Sequence, residues 1–324
     1  MSDHGWFAES GGSLSWKPVA ELIPAGAEIV IEIAAAGVNR PDLLQRAGVY
    51  PPPPGASEVL GLEVSGTVRR TGPDVIRFKE GDRVMALVPG GGYATACLAD
   101  EGSVLPVPAG LSDAEAAAFP ETAFTVFANV MEAGKLSEGE TLFVHGATSG
   151  IGSMAVAVAT ALGHPIYGTA GTDEKTMAAE ADGYTRVWNY KNDDWSAAMQ
   201  DEGGCDVVLD MVGGDYVPRN LAMLREGGRH VSIAFQGGVE ATINVMDIMR
   251  RRLVLTGSTL RGRPAPEKAR LRSAIEEAWV PLLKDGQLKP KVTMERPMDA
   301  VEEVHEAMRD GSLLGKGVLI GAKA

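Results

Sequence analysis

Residues 141–159 read TLFVHGATSGIGSMAVAVA, a short apolar strand that runs into glycines and then into an alanine-rich helix. A strand that turns sharply into a helix leaves free amides and the positive end of the helix dipole at the turn, where a pyrophosphate is favoured. Gly150 and Gly152 take the tight turn and the close backbone approach, Ala147 marks the strand exit, and Ala155 lies where helix packs on sheet. Ser149, beside the glycines, reads either as a phosphate or substrate contact or as a turn-forming serine. The spacing is Ala-x-x-Gly-x-Gly and not the three-glycine fingerprint, so the flanks must carry the reading of a dinucleotide site.

The flanks do so. Candidate strands at 141–145, 165–169, 186–188, 206–210, 229–233 and 253–257 alternate with helical or loop segments, the rhythm of a doubly wound parallel sheet whose ligands lie at the carboxyl ends of its strands. The first third reads as mostly β, with strands at 28–36, 63–69 and 83–88. Ser112 is placed to cap a helix from Asp113, and a further helix is predicted from Pro120 to Ala133. A helix over 267–284 and short strands around a helix at 298–309 close the chain. The length, 324 residues, suits two domains. The expected division is 1–120 with 261–324 as a β-rich domain and 121–260 as an inserted nucleotide-binding domain.

Charge and composition remove several function classes. A net charge of −13 argues against nucleic acid, and no run approaches the ~20 apolar residues of a membrane span. The start, MSDHGWFAESGG, lacks a basic stretch and an apolar core, so a cytoplasmic protein is expected. Two cysteines, Cys97 and Cys205, build neither a disulfide framework nor a cysteine-rich zinc site.

This arrangement resembles the medium-chain dehydrogenase/reductase superfamily, with a GroES-like β-rich catalytic domain and an inserted Rossmann domain. The segment GVNRPDLLQRAGVYPPPPGAS at 37–57 is similar to the zinc-free, zeta-crystallin-like quinone oxidoreductases, especially the subgroup typified by the tumour-suppressor-induced NADPH:quinone oxidoreductase. The likeness continues through LGLEVSG, LVPGGG, PETAFTVF, VHGATSGIG, GTAGTDEK, NYK, LDMVGG and the closing GKGVLI, whereas MSDHGWFAESGG departs from the pattern.

The resemblance implies hydride transfer from NADPH to a quinone or similar conjugated carbonyl, without metal. Gly61, Leu62 and Glu63 stand where zinc relatives carry Gly-His-Glu, and His145 reads as a packing or phosphate-side histidine. Tyr50 is implied as the donor to the developing oxyanion, and it also reads as an aromatic packed on the prolines. Asn39 is implied beside the nicotinamide, with Asp42 and Thr125 nearby; as Asx residues, Asn39 and Asp42 equally suit turn and helix caps. Asn39, Tyr50 and Ser149 form the implied catalytic set.

Ala147, Ser149, Gly150, Ile151 and Gly152 would hold the pyrophosphate. At the end of the second strand GTAG lacks the carboxylate that grips an NAD ribose, and Gly171, Thr172, Lys175 and Tyr190 match a 2′-phosphate pocket. Asp173 and Glu174 count against that pocket unless they point away. Phe235, Leu260 and Arg261 complete the implied coenzyme set. The acceptor is expected in the cleft between domains, and the apolar edge strand near 253–256 implies a homodimer. An enoyl-thioester reductase on the same scaffold, or an NADPH-binding protein of low turnover, are the alternatives.

Overall fold

The amino terminus that matched no expected element is a hairpin in the computed structural model, which describes residues 2–321. Strand β1 (His4–Ala8) pairs antiparallel with β2 (Leu14–Pro18), and Gly11 and Gly12 turn the chain at φ 79° and 80°. Trp6 and Trp16 pack with ring centroids 5.3 Å apart, and the Trp6 indole donates to the Met298 carbonyl at 2.9 Å. The hairpin is therefore tied to the carboxyl-terminal part of its unit.

The chain forms two units, one running to Phe124 and resuming at Arg261, the other Thr125–Leu260. The first unit continues with β3 (Glu28–Gly37), α1 (Arg40–Arg46), β4 (Glu63–Thr71), β5 (Arg83–Leu87), β6 (Ala96–Asp100) and β7 (Val104–Pro106). In β3, Ile29, Ile31 and Ile33 alternate onto the main core, while Ala35 faces a small cluster with Ala114, Ala117 and Val318. Burial on both faces explains why its sequence, EIVIEIAAAG, is nearly all apolar. Helix α2 (Asp113–Ala117) starts in a capping box between Ser112 and Glu115. Helix α3 (Pro120–Val126) crosses the unit boundary, and the helix predicted through Ala133 changes at Phe127 into a π-helical stretch, Phe127–Ala133. The apolar pattern predicts one regular helix because it carries no mark of the extra residue per turn.

The second unit holds β8 (Leu142–His145), α4 (Gly150–Leu162), β9 (Ile166–Ala170), α5 (Asp173–Ala181), β10 (Arg186–Asn189), α6 (Trp195–Asp201), β11 (Cys205–Asp210), α7 (Tyr216–Met223), β12 (Leu224–Ser232), α8 (Val245–Arg251) and β13 (Val254–Gly257). All six strands are parallel, in the order β10-β9-β8-β11-β12-β13. The order reverses direction beside β8, so the glycine turn at its carboxyl end lies at the topological switch point. Strand β12 begins at Leu224, earlier than the expected 229, with a register irregularity against β11.

The chain returns to the first unit through α9 (Ala265–Ala278) and α10 (Val280–Lys284). These replace the single helix expected over 267–284: the ring of Pro281 removes a helical amide and crowds the preceding turn, and the break falls at Trp279. Strand β14 (Val292–Pro297), a short 3₁₀ turn, α11 (Val301–Asp310) and β15 (Lys316–Ile320) complete the described chain. The sheet order in this unit is β14-β15-β3-β4-β5-β7, with β6 also paired to β3. Strand β15 thus brings the end of the chain beside β3 and the segment that follows it.

Candidate active site

On the nucleotide side, β8 ends in a turn where Gly146 adopts φ 70° and Ser149 caps α4, its hydroxyl oxygen accepting from the Gly152 amide at 3.0 Å. Ser149 is thus the turn former, and among the described residues its hydroxyl hydrogen is uncommitted. A Cβ at position 152 would lie 2.5 Å from the Ala147 carbonyl oxygen, so only glycine lets the helix start press onto the loop. The Tyr184 phenol donates to the Gly152 carbonyl at 3.0 Å and holds that contact. Gly150 and Ile151 are partly accessible at the mouth of the turn, while Ala147 is buried beneath it. This cradle fits a pyrophosphate.

At the end of β9 the structure gathers Gly171, Thr172, Lys175 and Tyr190. Thr172 caps α5 by accepting from the Lys175 amide at 3.3 Å, and a Cβ at Gly171 would lie 2.8 Å from the Tyr190 phenol oxygen. Asp173, which carries the wrong charge for a phosphate pocket, is engaged: Asn189 Nδ2 donates to it at 2.6 Å. Among the described residues no carboxylate pairs with the Lys175 ammonium, which is partly exposed. The turn after β11 is held by Asp210, which accepts from the amides of Val212 at 2.7 Å and Gly213 at 3.2 Å and pairs with His230 at 3.0 Å. Burial opposes the charge on Asp210, yet the His230 hydrogen bond and the Val212 amide keep its carboxyl below the usual range. Phe235, exposed, stands beyond β12 in a loop bonded back to Met211 and Val212.

His145 is fully buried and bonded to Thr169 at 2.9 Å and Asn220 at 2.7 Å, among Phe143, Trp195 and Tyr216. Burial lowers its pKa to about 4. It is a neutral core histidine. Thr125 is buried, its carbonyl accepting from Asn129 at 2.8 Å, and Leu260 ends this unit.

In the other unit, Tyr50 is half-buried at the start of the proline run, and Arg261 is built against it. The Arg261 guanidinium donates to the Pro89 carbonyl at 2.9 Å, the Gln45 amide oxygen at 2.6 Å and the Tyr50 carbonyl at 3.4 Å. Burial raises the Tyr50 phenol; Arg261 opposes that shift and Glu121 adds to it. Asn39 and Asp42 form the capping box of α1, with the Asn39 amide donating to the Asp42 carboxylate at 2.7 Å. Tyr93 donates to the same Asp42 oxygen at 2.8 Å, and the other oxygen, buried, has no partner among the described residues. Burial brings the Asp42 carboxyl up to about 6.

Sequence reasoning missed two groups here. Glu63 and Lys316, separated by 253 positions, form a fully buried ion pair, and Asn39 Nδ2 donates to Glu63 at 2.9 Å. Glu121, whose own amide donates to Glu63 at 2.9 Å, has its carboxyl raised to about 8 by desolvation and by the Glu63 charge. Helical or strand spacing carries no trace of either: Lys316 reaches Glu63 through the pairing of β15, β3 and β4, and Glu121 reaches it from the start of α3. Among the described residues no three His, Cys, Asp or Glu side chains gather as a metal ion requires. Cys97 is buried with its thiol raised to about 12, and Glu63 is taken by Lys316.

The glycine turn at the switch point, in a six-stranded parallel sheet inserted into a β-rich unit, defines a dinucleotide-binding protein of two-unit architecture. Comparison with known proteins agrees. Residues 25–110 match the alcohol dehydrogenase GroES-like domain and residues 150–278 the zinc-binding dehydrogenase family. The quinone oxidoreductase of Lama guanicoe is 31% identical over 307 residues, covering 93% of this chain and 91% of the relative. Among solved structures, Escherichia coli quinone oxidoreductase complexed with NADPH aligns at TM-score 0.85 with 28% identity, over 98% of this chain and 100% of that one. CurK enoyl reductase aligns at TM-score 0.84 with 25% identity, over 99% and 100%. The chain belongs to the medium-chain dehydrogenase/reductase superfamily, with quinone oxidoreductases among its relatives.

Proposed function

We infer that this protein is a zinc-independent, NADPH-dependent quinone oxidoreductase of the cytosol, of the tumour-suppressor-induced subgroup. The observation that carries the coenzyme choice is the turn after β9: it lacks an acid for a ribose diol, its neighbouring acids Asp173 and Glu174 are respectively tied to Asn189 and exposed, and among the described residues no carboxylate pairs with Lys175. The quinone is favoured by the likeness to quinone oxidoreductases over more than nine-tenths of both chains. When bound, the reduced nicotinamide supplies a hydride. Gly150, Ile151, Gly152, Ala147 and Ser149 receive the pyrophosphate, while Gly171, Thr172, Lys175 and Tyr190 receive the 2′-phosphate. Phe235, Leu260 and Thr125 border the coenzyme.

Hydride delivery to a quinone leaves an oxyanion on an aromatic ring, which needs a hydrogen-bond donor more than a strong acid. Tyr50 donates to that oxygen, Arg261 keeps the Tyr50 loop in place, and Asn39 orients the nicotinamide end with Asp42 as its cap. The exposed edge strand β13, carrying Val254 and Leu255, pairs two copies into a homodimer.

The likeness to CurK enoyl reductase favours one second reading, reduction of an enoyl thioester. Steady-state rates with a small ortho-quinone and with a crotonyl thioester, each with NADPH, separate the two. Faster turnover of the quinone supports the first reading, faster turnover of the thioester the second, and tight NADPH binding without either marks a binding protein.

A further inference from the structure

Lys316 opens β15 and is buried, and its ammonium meets three acceptors: the Val38 carbonyl at 3.1 Å, Asn39 Oδ1 at 2.6 Å, and Glu63 Oε1. An ammonium has three hydrogens, so this cation is saturated and has none left for a ligand. Glu63 is used as fully: Oε1 also accepts from Asn39 Nδ2, and Oε2 accepts from the Glu121 amide. Gly37 stands opposite Glu63 in the β3·β4 register, and a Cβ there would collide with the carboxylate. The backbone has left room for this charge.

Asn39 lies between the two ions. Its oxygen faces the ammonium and its nitrogen faces the carboxylate, so a flipped amide would set carbonyl against carboxylate and NH₂ against ammonium. One Nδ2 hydrogen is committed to Glu63. Among the described residues the other meets only the Gly37 carbonyl at 3.5 Å, the limit of a hydrogen bond. The backbone amide of Asn39 is taken by Asp42. A single donor hydrogen therefore remains, in a direction fixed by an ion pair whose members come from opposite ends of the chain.

We propose that Lys316 and Glu63 are positioning residues for the coenzyme: they fix the Asn39 amide so that its one free hydrogen meets the carboxamide oxygen of the nicotinamide. The inference rests on the NADPH reading above and deepens it. It assigns the buried pair a role in orienting the reacting ring that the phosphate-binding turns do not share.

Two measurements test it. In the unaltered protein, nuclear magnetic resonance of the Asn39 side-chain amide should show slow hydrogen exchange without coenzyme, and on addition of NADPH one of the two Nδ2 proton resonances should move while the other stays. Fast exchange, or no movement of either resonance, overturns the proposal. In the Glu63→Gln/Lys316→Met variant, which removes both charges and avoids leaving one buried alone, the NADPH dissociation constant should stay within about threefold while kcat with an ortho-quinone falls about tenfold. Adding Asn39→Ala to that variant should lower kcat no further, because the amide is already released. An unchanged kcat in the double variant, or a further loss equal to that of Asn39→Ala alone, overturns the proposal. If the double variant does not fold, the resonance measurement decides. Failure of the unaltered protein to reduce the quinone strikes the functional reading instead, and the resonance response to NADPH still decides this one.

Discussion

Arg261 stands over Tyr50, its guanidinium carbon 5.3 Å from the ring centroid and its Nη1 donating to the Tyr50 carbonyl at 3.4 Å. The contact fixes a phenol that would otherwise swing with a loop of four prolines. Tyr50→Phe is expected to lower kcat about 3- to 30-fold, the cost of an oxyanion hydrogen bond partly replaced by water. Arg261→Lys keeps the charge and loses the planar fork, so it should lower kcat through Tyr50, and the double variant should be no slower than the slower single one. Steady-state kinetics check this; an unchanged rate in Tyr50→Phe makes the residue a packing group only.

Lys175 and Thr172 share the first turn of α5, with Asp173 turned aside by Asn189. Lys175→Ala should therefore weaken NADPH by about tenfold or more while NADH changes little, since the lost partner would touch only the 2′-phosphate. Calorimetric titration with each nucleotide reads the difference. Equal losses for both would remove Lys175 from the pocket.

Glu121 gives a stability prediction with a definite sign. Desolvation and the Glu63 charge raise its folded pKa from 4.5 to about 8, so between those values the folded state holds a proton that the unfolded chain has released. This group therefore costs stability as pH rises from about 4.5 to 8, and the cost then levels off. Glu121→Gln should gain in Tm relative to the unaltered protein across that window. His145 acts oppositely: its pKa of about 4 against 6.5 unfolded makes its contribution fall as pH drops from 6.5 to 4. Thermal melts from pH 4 to 9 test both, and a pH-independent Tm difference for Glu121→Gln would show that the acid is not raised.

Strand β13 ends the parallel sheet with Val254 44% and Leu255 39% exposed. An unpaired apolar edge of this kind favours strand-to-strand association. Leu255→Lys should convert a dimer to a monomer in sedimentation velocity without altering the fold by circular dichroism. A monomeric unaltered protein at micromolar concentration would contradict the dimer.

Much of the fold was legible because strong local physics coincided with tertiary structure. The six parallel strands and the capped starts of α2 and α4 came from apolar runs, cap residues and glycines. The hairpin at His4–Pro18 escaped because its tryptophans find partners only in distant residues such as Met298. The π-helical stretch and the break at Trp279 change backbone geometry without changing the apolar pattern. Ser149 and Gly152 are legible from turn chemistry and Gly171 and Thr172 from the family resemblance, whereas the Glu63–Lys316–Asn39 cluster has no local signature. Asp42 and Ser149, each open to two readings in sequence, act as caps in the structure, and Arg261 serves the Tyr50 loop. The caps are local and are among the readings the sequence allows, whereas the Arg261 contact, 211 positions from Tyr50, is not readable from local pattern.

The central claim is direct, metal-independent hydride transfer from NADPH to a quinone. The most direct test is a single turnover in stopped flow: chelator-treated protein holding one equivalent of NADPH, protiated or deuterated at C4, mixed with excess ortho-quinone. The account predicts complete loss of the nicotinamide absorbance in one phase, slowed by the deuterium. Retained absorbance, or oxidation that appears only when zinc is restored, would contradict it.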